Sequence, residues 1–288
     1  MVQFNFVQNE LKPPVVMTFA ATDPTSGAGL QADLLTYASL GCYGVSVVTG
    51  VTVQDTTGVT QILPLDPELV RSQARTILED IQVDVFKLGV LSSIDVLLAV
   101  AEVVGDYVDI PLIVDPVFAS GRGDELSDDE MIEAMCDLIL PQTTLVTPNT
   151  LELMRIIEHL ENPTDETDPQ LSFEKNARQI IDLGCENVLI TGTHHNTQKV
   201  INHLYDQTGL VRSDSWKRLA GNYHGSGCTL ASAIAALYAQ GLDLEEAVYK
   251  GQEFTWKTLN AGLRLGMGQA LPDRFFWTQE TPDPSQIS

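Results

Sequence analysis

The residues with the clearest chemical promise are His224-Gly225-Ser226-Gly227-Cys228-Thr229, directly before an apolar, alanine-rich stretch. Small residues let consecutive backbone N–H groups turn toward one point, and a helix start adds partial positive charge there. Such a nest suits an anion, above all a phosphoryl group in transfer. Cys228 falls in the first turn, where a thiolate is expected to be stabilised and its pKa lowered. The alternative for a lone cysteine is an inert small hydrophobe. No Gly-x4-Gly-Lys-Ser/Thr pattern is present, so this is not a P-loop. A second glycine element runs from Asp23 to Asp33 (DPTSGAGLQAD) and joins a strand to a helix. Gly266-Met267-Gly268 follows a helix and reads as a turn.

Further polar residues stand just past apolar runs. Thr22–Asp23 follow VVMTFAA, Gln54–Asp55 follow VSVVTGVTV, Asp115 ends PLIVD, Asn149 follows TLVTP, and Thr191 to His195 follow NVLI. In open α/β sheets this carboxyl edge is where ligands bind. One such residue is an ordinary turn group, whereas several on one edge point to a site.

The elements that must carry them alternate. Strands are expected at VVMTFAA, VSVVTGVTV, VFKLGV, PLIVDP, TLVTPN and NVLITGT, with a hairpin of KVINHLYD and LVRSDSW around Gln207–Thr208–Gly209. Helices are expected at GLQADLLTYASLG, PELVRSQARTILEDI, IDVLLAVAEVVGD, SDDEMIEAMCDLIL (capped by Ser127), TLELMRIIEHL and FEKNARQIIDLG. GCTLASAIAALYAQG and LEEAVYKGQEFTWKTLNAGLRLG complete the set. ENPTDETDP reads as a surface loop. Repeated strand–helix alternation implies a mostly parallel sheet covered on both faces. The division expected is an N-terminal extension over 1–14, one domain over 15–277 and a tail over 278–288.

Composition narrows the partners. With 16 Lys+Arg against 39 Asp+Glu the formal charge is −23, which argues against nucleic acid or an anionic membrane as the main partner. The 44% hydrophobic content is that of a folded chain. Four cysteines, none in a CxxC pair, show neither a disulfide scaffold nor a zinc site. The first residues lack signal-peptide character, and VLLAVAEVVG is too short and is broken by Glu102. A reduced, cytoplasmic protein is the expectation.

TDPTSGAGLQAD, VQDT, VDPV, TPNTLE and HGSGCTLASAIAA, in this order, resemble the hydroxymethylpyrimidine/phosphomethylpyrimidine kinases of thiamine biosynthesis. These belong to the ribokinase-like superfamily, and the resemblance runs from about Val15 to Gly266. It implies a three-layer α/β/α sandwich, ATP and Mg²⁺ as cofactors, an aminopyrimidine substrate and a homodimer using apolar surface near the first helices. It implies phosphorylation of 4-amino-5-hydroxymethyl-2-methylpyrimidine and then of its monophosphate. By matching position, Cys228 stands where ribokinases carry an aspartate base, and Gly225, Ser226 and Gly227 form the anion hole. The pyrimidine positions are Ala21, Asp33, Gln54 and Val90. A carboxamide such as Gln54 meets a ring-nitrogen acceptor and an amino donor at once. Asp33 is expected to accept from the substrate, or else to be a solvated carboxylate. Asp115 and Glu152 match the magnesium side, although Glu152 also reads as a helix surface charge. Asn149, Thr191 and Thr193 match the nucleotide side.

Four departures from the family pattern stand out. Thr191 replaces a frequent lysine, Arg122 stands near where another lysine is usual, and Ala21 and Val90 replace a common glycine and methionine. They bear on ATP affinity and pocket shape. Two rivals share the pattern: a pyridoxal kinase of the same superfamily, and a non-catalytic pyrimidine-binding regulator.

Overall fold

The computed structural model describes residues 12–119, 126–160, 169–192 and 198–278. β1 (Val15–Ala20) leads through α1 (Gly29–Ser39) to β2 (Tyr43–Val48), which lies parallel to it. The next strands, β3 (Gly50–Asp55) and β4 (Gly58–Pro64), leave the sheet and pair as a separate antiparallel ribbon. The chain returns through α2 (Pro67–Asp80), β5 (Val85–Leu88), α3 (Ile94–Asp106), β6 (Leu112–Val114) and α4 (Asp129–Ala134). β7 (Leu145–Val146), α5 (Thr150–His159), α6 (Pro169–Asp182) and β8 (Val188–Thr191) follow. A hairpin of β9 (Lys199–Asp206) and β10 (Gly209–Lys217) precedes α7 (Ser226–Ala239) and α8 (Leu244–Asn260).

The main sheet has the order β10-β9-β8-β7-β6-β5-β1-β2, parallel except at the β9–β10 edge. Its order reverses at β1, which has β2 on one side and β5 on the other. A crevice therefore opens beyond the carboxyl ends of these strands. Apolar side chains alternate between two cores. Met17, Phe19, Phe86, Leu88, Leu112 and Val114 pack with α2–α6, while Val16, Val85 and Ile113 pack with α1, α7 and α8. Burial on both faces explains the near-continuous apolar runs. The result is the expected three-layer α/β/α arrangement.

Three local expectations are corrected. VSVVTGVTV is not one strand. It breaks at Thr49, whose N–H bonds the Ala20 carbonyl and whose hydroxyl bonds the Val90 carbonyl, and the second half swings out to pair with β4. β4 itself went unexpected, since four of its seven residues are exposed and little apolar patterning survives. The cap of α4 is Asp128, accepting from the Met131 N–H, while Ser127 instead donates to the Val117 carbonyl. That helix widens to a π-turn at Met135–Ile139 and closes in a 3-10 turn holding Pro141, which has no N–H to extend the ladder. The 120–125 stretch with Arg122, the 161–168 part of the expected loop, Thr193, and most of both termini lie outside the described residues.

Candidate active site

Helix starts leave N–H groups that need partners. α2, α3, α4, α5 and α8 are capped by Asp66, Ser93, Asp128, Asn149 and Asp243. α1 and α7 have no side-chain cap, and both line the same cavity of about 700 Å³. The N–H groups at the start of α1 are partly taken, by Asp23 and the Ala21 carbonyl, so the open donors and dipole of α7 make this the place for an anion. Gly225, the residue before α7, has φ +76°, and a Cβ on it would overlap the Gly27 carbonyl oxygen. Two glycine loops far apart in the chain thus touch backbone to backbone.

Side chains hold these loops together. Asp23 is fully buried, accepts from the N–H groups of Thr25 (2.8 Å) and Ala28 (2.7 Å), and lies 2.8 Å from His224 Nε2. Burial acts to raise the Asp23 pKa, but the bonds to His224, Ala28 and Thr25 outweigh it and leave it lowered. Arg274 donates to the carbonyls of Ser26 (3.0 Å) and Gly27 (2.6 Å) and to Thr229 Oγ1 (2.8 Å). The sequence reading missed this clasp. Only the co-occurrence of a buried-type Asp and His beside glycines hinted at it, and nothing marked Arg274.

Cys228 sits in the first turn of α7 and reaches the cavity, with Gly225, Ser226 and Gly227 beside it. The expected lowering of its pKa is reversed. Burial pushes the thiol well up, and the Asp115 carboxylate adds to this, while Lys87 opposes it. The helix end does not offset the loss of hydration. All four cysteines are free and buried. Brief alkylation at pH 7.5 without ligand should therefore leave all four unmodified by mass spectrometry. Rapid labelling of Cys228 would reveal a standing thiolate.

Asp115 lies at the end of β6 and lines the cavity, and its buried Oδ2 has no hydrogen-bond partner. Burial raises its pKa and Lys87 counters that. Glu152 also lines the cavity. Its Oε2 accepts from the Asn149 N–H (2.8 Å), while Asn149 Oδ1 accepts from Leu151 and Glu152, a reciprocal capping box. Burial and the Asp115 charge push Glu152 well up. Glu152 is therefore no plain surface charge.

At the other end Ala21 and Gln54 line the cavity. Gln54 spends one N–H on Thr52 Oγ1 (2.8 Å), which in turn donates to the Thr22 carbonyl. A donor and an acceptor of the carboxamide remain for a ligand. Val90 lies behind this wall, its carbonyl accepting from Ala21 N–H and Thr49 Oγ1. The expectation for Asp33 is overturned. It is 0% exposed and outside the cavity lining, with its carboxylate taken by Thr18 Oγ1 (2.6 Å), Ser232 Oγ (2.6 Å) and Lys87 Nζ (3.0 Å). No oxygen is left for a substrate. Thr191 and Asn149 line the opposite wall, where Asn202 Oδ1 accepts from the Gly192 N–H and its amide donates to Gln252. Arg155, Lys217 and Arg218 supply positive charge to the lining.

Residues 23–273 match the family model described as phosphomethylpyrimidine kinase. The chain belongs to the phosphomethylpyrimidine kinase family. A Streptomyces coelicolor hydroxymethylpyrimidine/phosphomethylpyrimidine kinase is 36% identical over 89% of this chain and 92% of its own. The Geobacter sulfurreducens thiamine biosynthesis bifunctional protein ThiED is 35% identical over 93% of this chain, which spans 54% of that protein. The solved ADP complex of Bacillus subtilis pyridoxal kinase superposes with TM-score 0.82 at 26% identity, covering 93% of this chain and 100% of that one. As a phosphomethylpyrimidine kinase family member the chain is a phosphotransferase with a ribokinase-like fold. Among the described residues no helix is long and apolar enough to cross a membrane.

Proposed function

We propose that this chain moves the γ-phosphoryl group of ATP to the hydroxymethyl oxygen of 4-amino-5-hydroxymethyl-2-methylpyrimidine, and then to the monophosphate so formed. The observation that carries this reading is the uncapped first turn of α7 opening, with Cys228, onto the cavity that Gln54 also lines. Gln54 reads the ring nitrogen and the amino group and turns the hydroxymethyl arm toward Cys228. The amides of Gly225, Ser226 and Gly227 stabilise charge spread over the three equatorial oxygens. Holding the oxygen in line supplies the proximity. Phosphoryl transfer passes through a loose transition state, so the hydroxyl proton leaves late. The Cys228 thiol holds the hydroxyl and relays that proton, taking it as its own S–H proton passes to an oxygen of the transferred phosphoryl group.

Asp115 and Glu152 fit Mg²⁺. Asp115 Oδ2 is a buried, unpartnered oxygen, and the two carboxylates face one cavity. Among the described residues no group of three His, Cys, Asp or Glu side chains forms a protein-only cage. That suits an ion that keeps water and phosphate ligands. When bound, Mg²⁺ neutralises phosphate charge. Asn149 and Thr191 flank the nucleotide, with Arg155, Lys217 and Arg218 supplying cations on that wall.

The test is ADP release with the hydroxymethyl pyrimidine against pyridoxal, with products followed by mass. Preference for the aminopyrimidine is expected, and a strong preference for pyridoxal would overturn the substrate. Gln54→Glu removes the donor half of the carboxamide. It should raise the KM for the pyrimidine about 10- to 100-fold, with the KM for ATP unchanged. Exposed Val51, Val53 and Leu63 form an apolar patch on the β3–β4 ribbon, in keeping with a homodimer. Four free cysteines are in keeping with a cytoplasmic setting.

A further inference from the structure

Lys87 is a lysine in the middle of a buried strand, with 0% of its side chain exposed. On β5 it shares the face of Val85, which packs toward α1 and α7. It lies level with Ile113 of β6, two residues before Asp115 on that same face. Its Nζ is 3.0 Å from both carboxylate oxygens of Asp33 on α1. Gly89, two residues on, leaves the space, since a Cβ there would stand 2.9 Å from Nζ. Asp33 is also fixed by Thr18 of β1 and by Ser232, one turn along α7 from Cys228. A Cβ on Gly227 would meet Asp115 Oδ1 at 3.3 Å, so the Asp115 carboxylate lies against the α7 nest. The charged and titratable groups that act on Lys87 are Asp33, Asp115 and Cys228, and Asp33 and Cys228 also act on Arg274.

A buried ion pair is seldom required for stability, and an apolar pair of like volume often serves as well. A lysine held rigidly under the floor of an anion site therefore asks for another reason. We propose that Lys87 is an electrostatic positioning residue for phosphoryl transfer: clamped by Asp33 beneath the first turn of α7, it supplies positive charge to the Asp115–Gly227 floor without touching substrate. In this arrangement Asp33 is the anchor that aims the ammonium and not a pyrimidine ligand. The inference rests on the α7 nest being the phosphoryl site. Its effect belongs to kcat, because the charge that it favours grows in the transition state.

The test removes the pair together, since Lys87→Met alone strands a buried carboxylate and lowers stability. Asp33→Asn with Lys87→Met keeps an acceptor for one of the Thr18 and Ser232 hydroxyls and a donor to which the other can turn, and carries no net charge change. This double variant should melt near the unaltered protein and keep both KM values within about threefold. Its kcat should fall about 10- to 100-fold, the range for one charge acting through a few ångströms of protein. A double variant whose kcat stays within about twofold of the unaltered chain overturns the proposal, since Lys87 would then be only the counter-ion of Asp33. Asp33→Leu with Lys87→Met gives the same reading if the first pair fails to fold. The ratio is taken on whichever alcohol the unaltered chain phosphorylates. An unaltered chain that ignores the aminopyrimidine ends the substrate assignment alone. A Gly227→Ala variant with undiminished turnover ends the nest assignment.

Discussion

Gly225→Ala should lower kcat by about a thousandfold or more, the largest loss expected from any single substitution in this chain. Two independent costs meet at this position. The residue has φ +76°, where an L side chain costs about 1–2 kcal/mol. The added methyl would also overlap the Gly27 carbonyl oxygen, which Arg274 already holds. The two glycine loops must separate to admit it, and the amides of Ser226 and Gly227 swing off the phosphoryl position. Thermal melting should drop by several degrees while the protein remains folded. Steady-state ADP release and a melting curve check this. Near-normal turnover in a folded Gly225→Ala protein would mean that the α7 nest is not where phosphate is held.

Cys228→Ala should cost about 100- to 1000-fold in kcat, in the range found for a proton-transfer group, with the KM for ATP within about threefold. The thiol is buried and its pKa is pushed up, so it enters the reaction protonated. Its role is then to hold the hydroxyl and, once bond breaking at the phosphate has advanced, to take the proton while its own S–H proton passes to an oxygen of the transferred phosphoryl group. Cys228→Ser keeps an oxygen lone pair at that point and should fall between the alanine variant and the unaltered chain. Single-turnover kinetics separate chemistry from product release. Full turnover with alanine would end the proton-acceptor role yet leave the nest untouched.

How much of this was legible in the residues depends on which physical term decides. The strand–helix alternation and the carboxyl-edge polar groups came from hydrophobic patterning, which burial on both sheet faces makes strong. The α7 nest came from glycine and helix position, both local. Lys87 carried a signal that was passed over, a full charge inside VFKLGV, and it needed the question of what neutralises it. Asp33 shows the opposite failure. On sequence it looked available to a ligand, but its partners come from β1, β5 and α7. The Cys228 pKa was misjudged for a related reason, because a helix end is visible in sequence whereas depth of burial is not. The β3–β4 ribbon was lost because its exposed strand obeys no core pattern.

Arg274 comes after every residue that lines the cavity, yet it grips Ser26, Gly27 and Thr229 at once. A stop codon placed a few positions before it would leave a polypeptide that still encodes the full set of wall residues. That shortened product should nonetheless let the two loops drift apart, so expression and labelling schemes for this protein must keep their cut sites and fusion joints on the far side of that arginine.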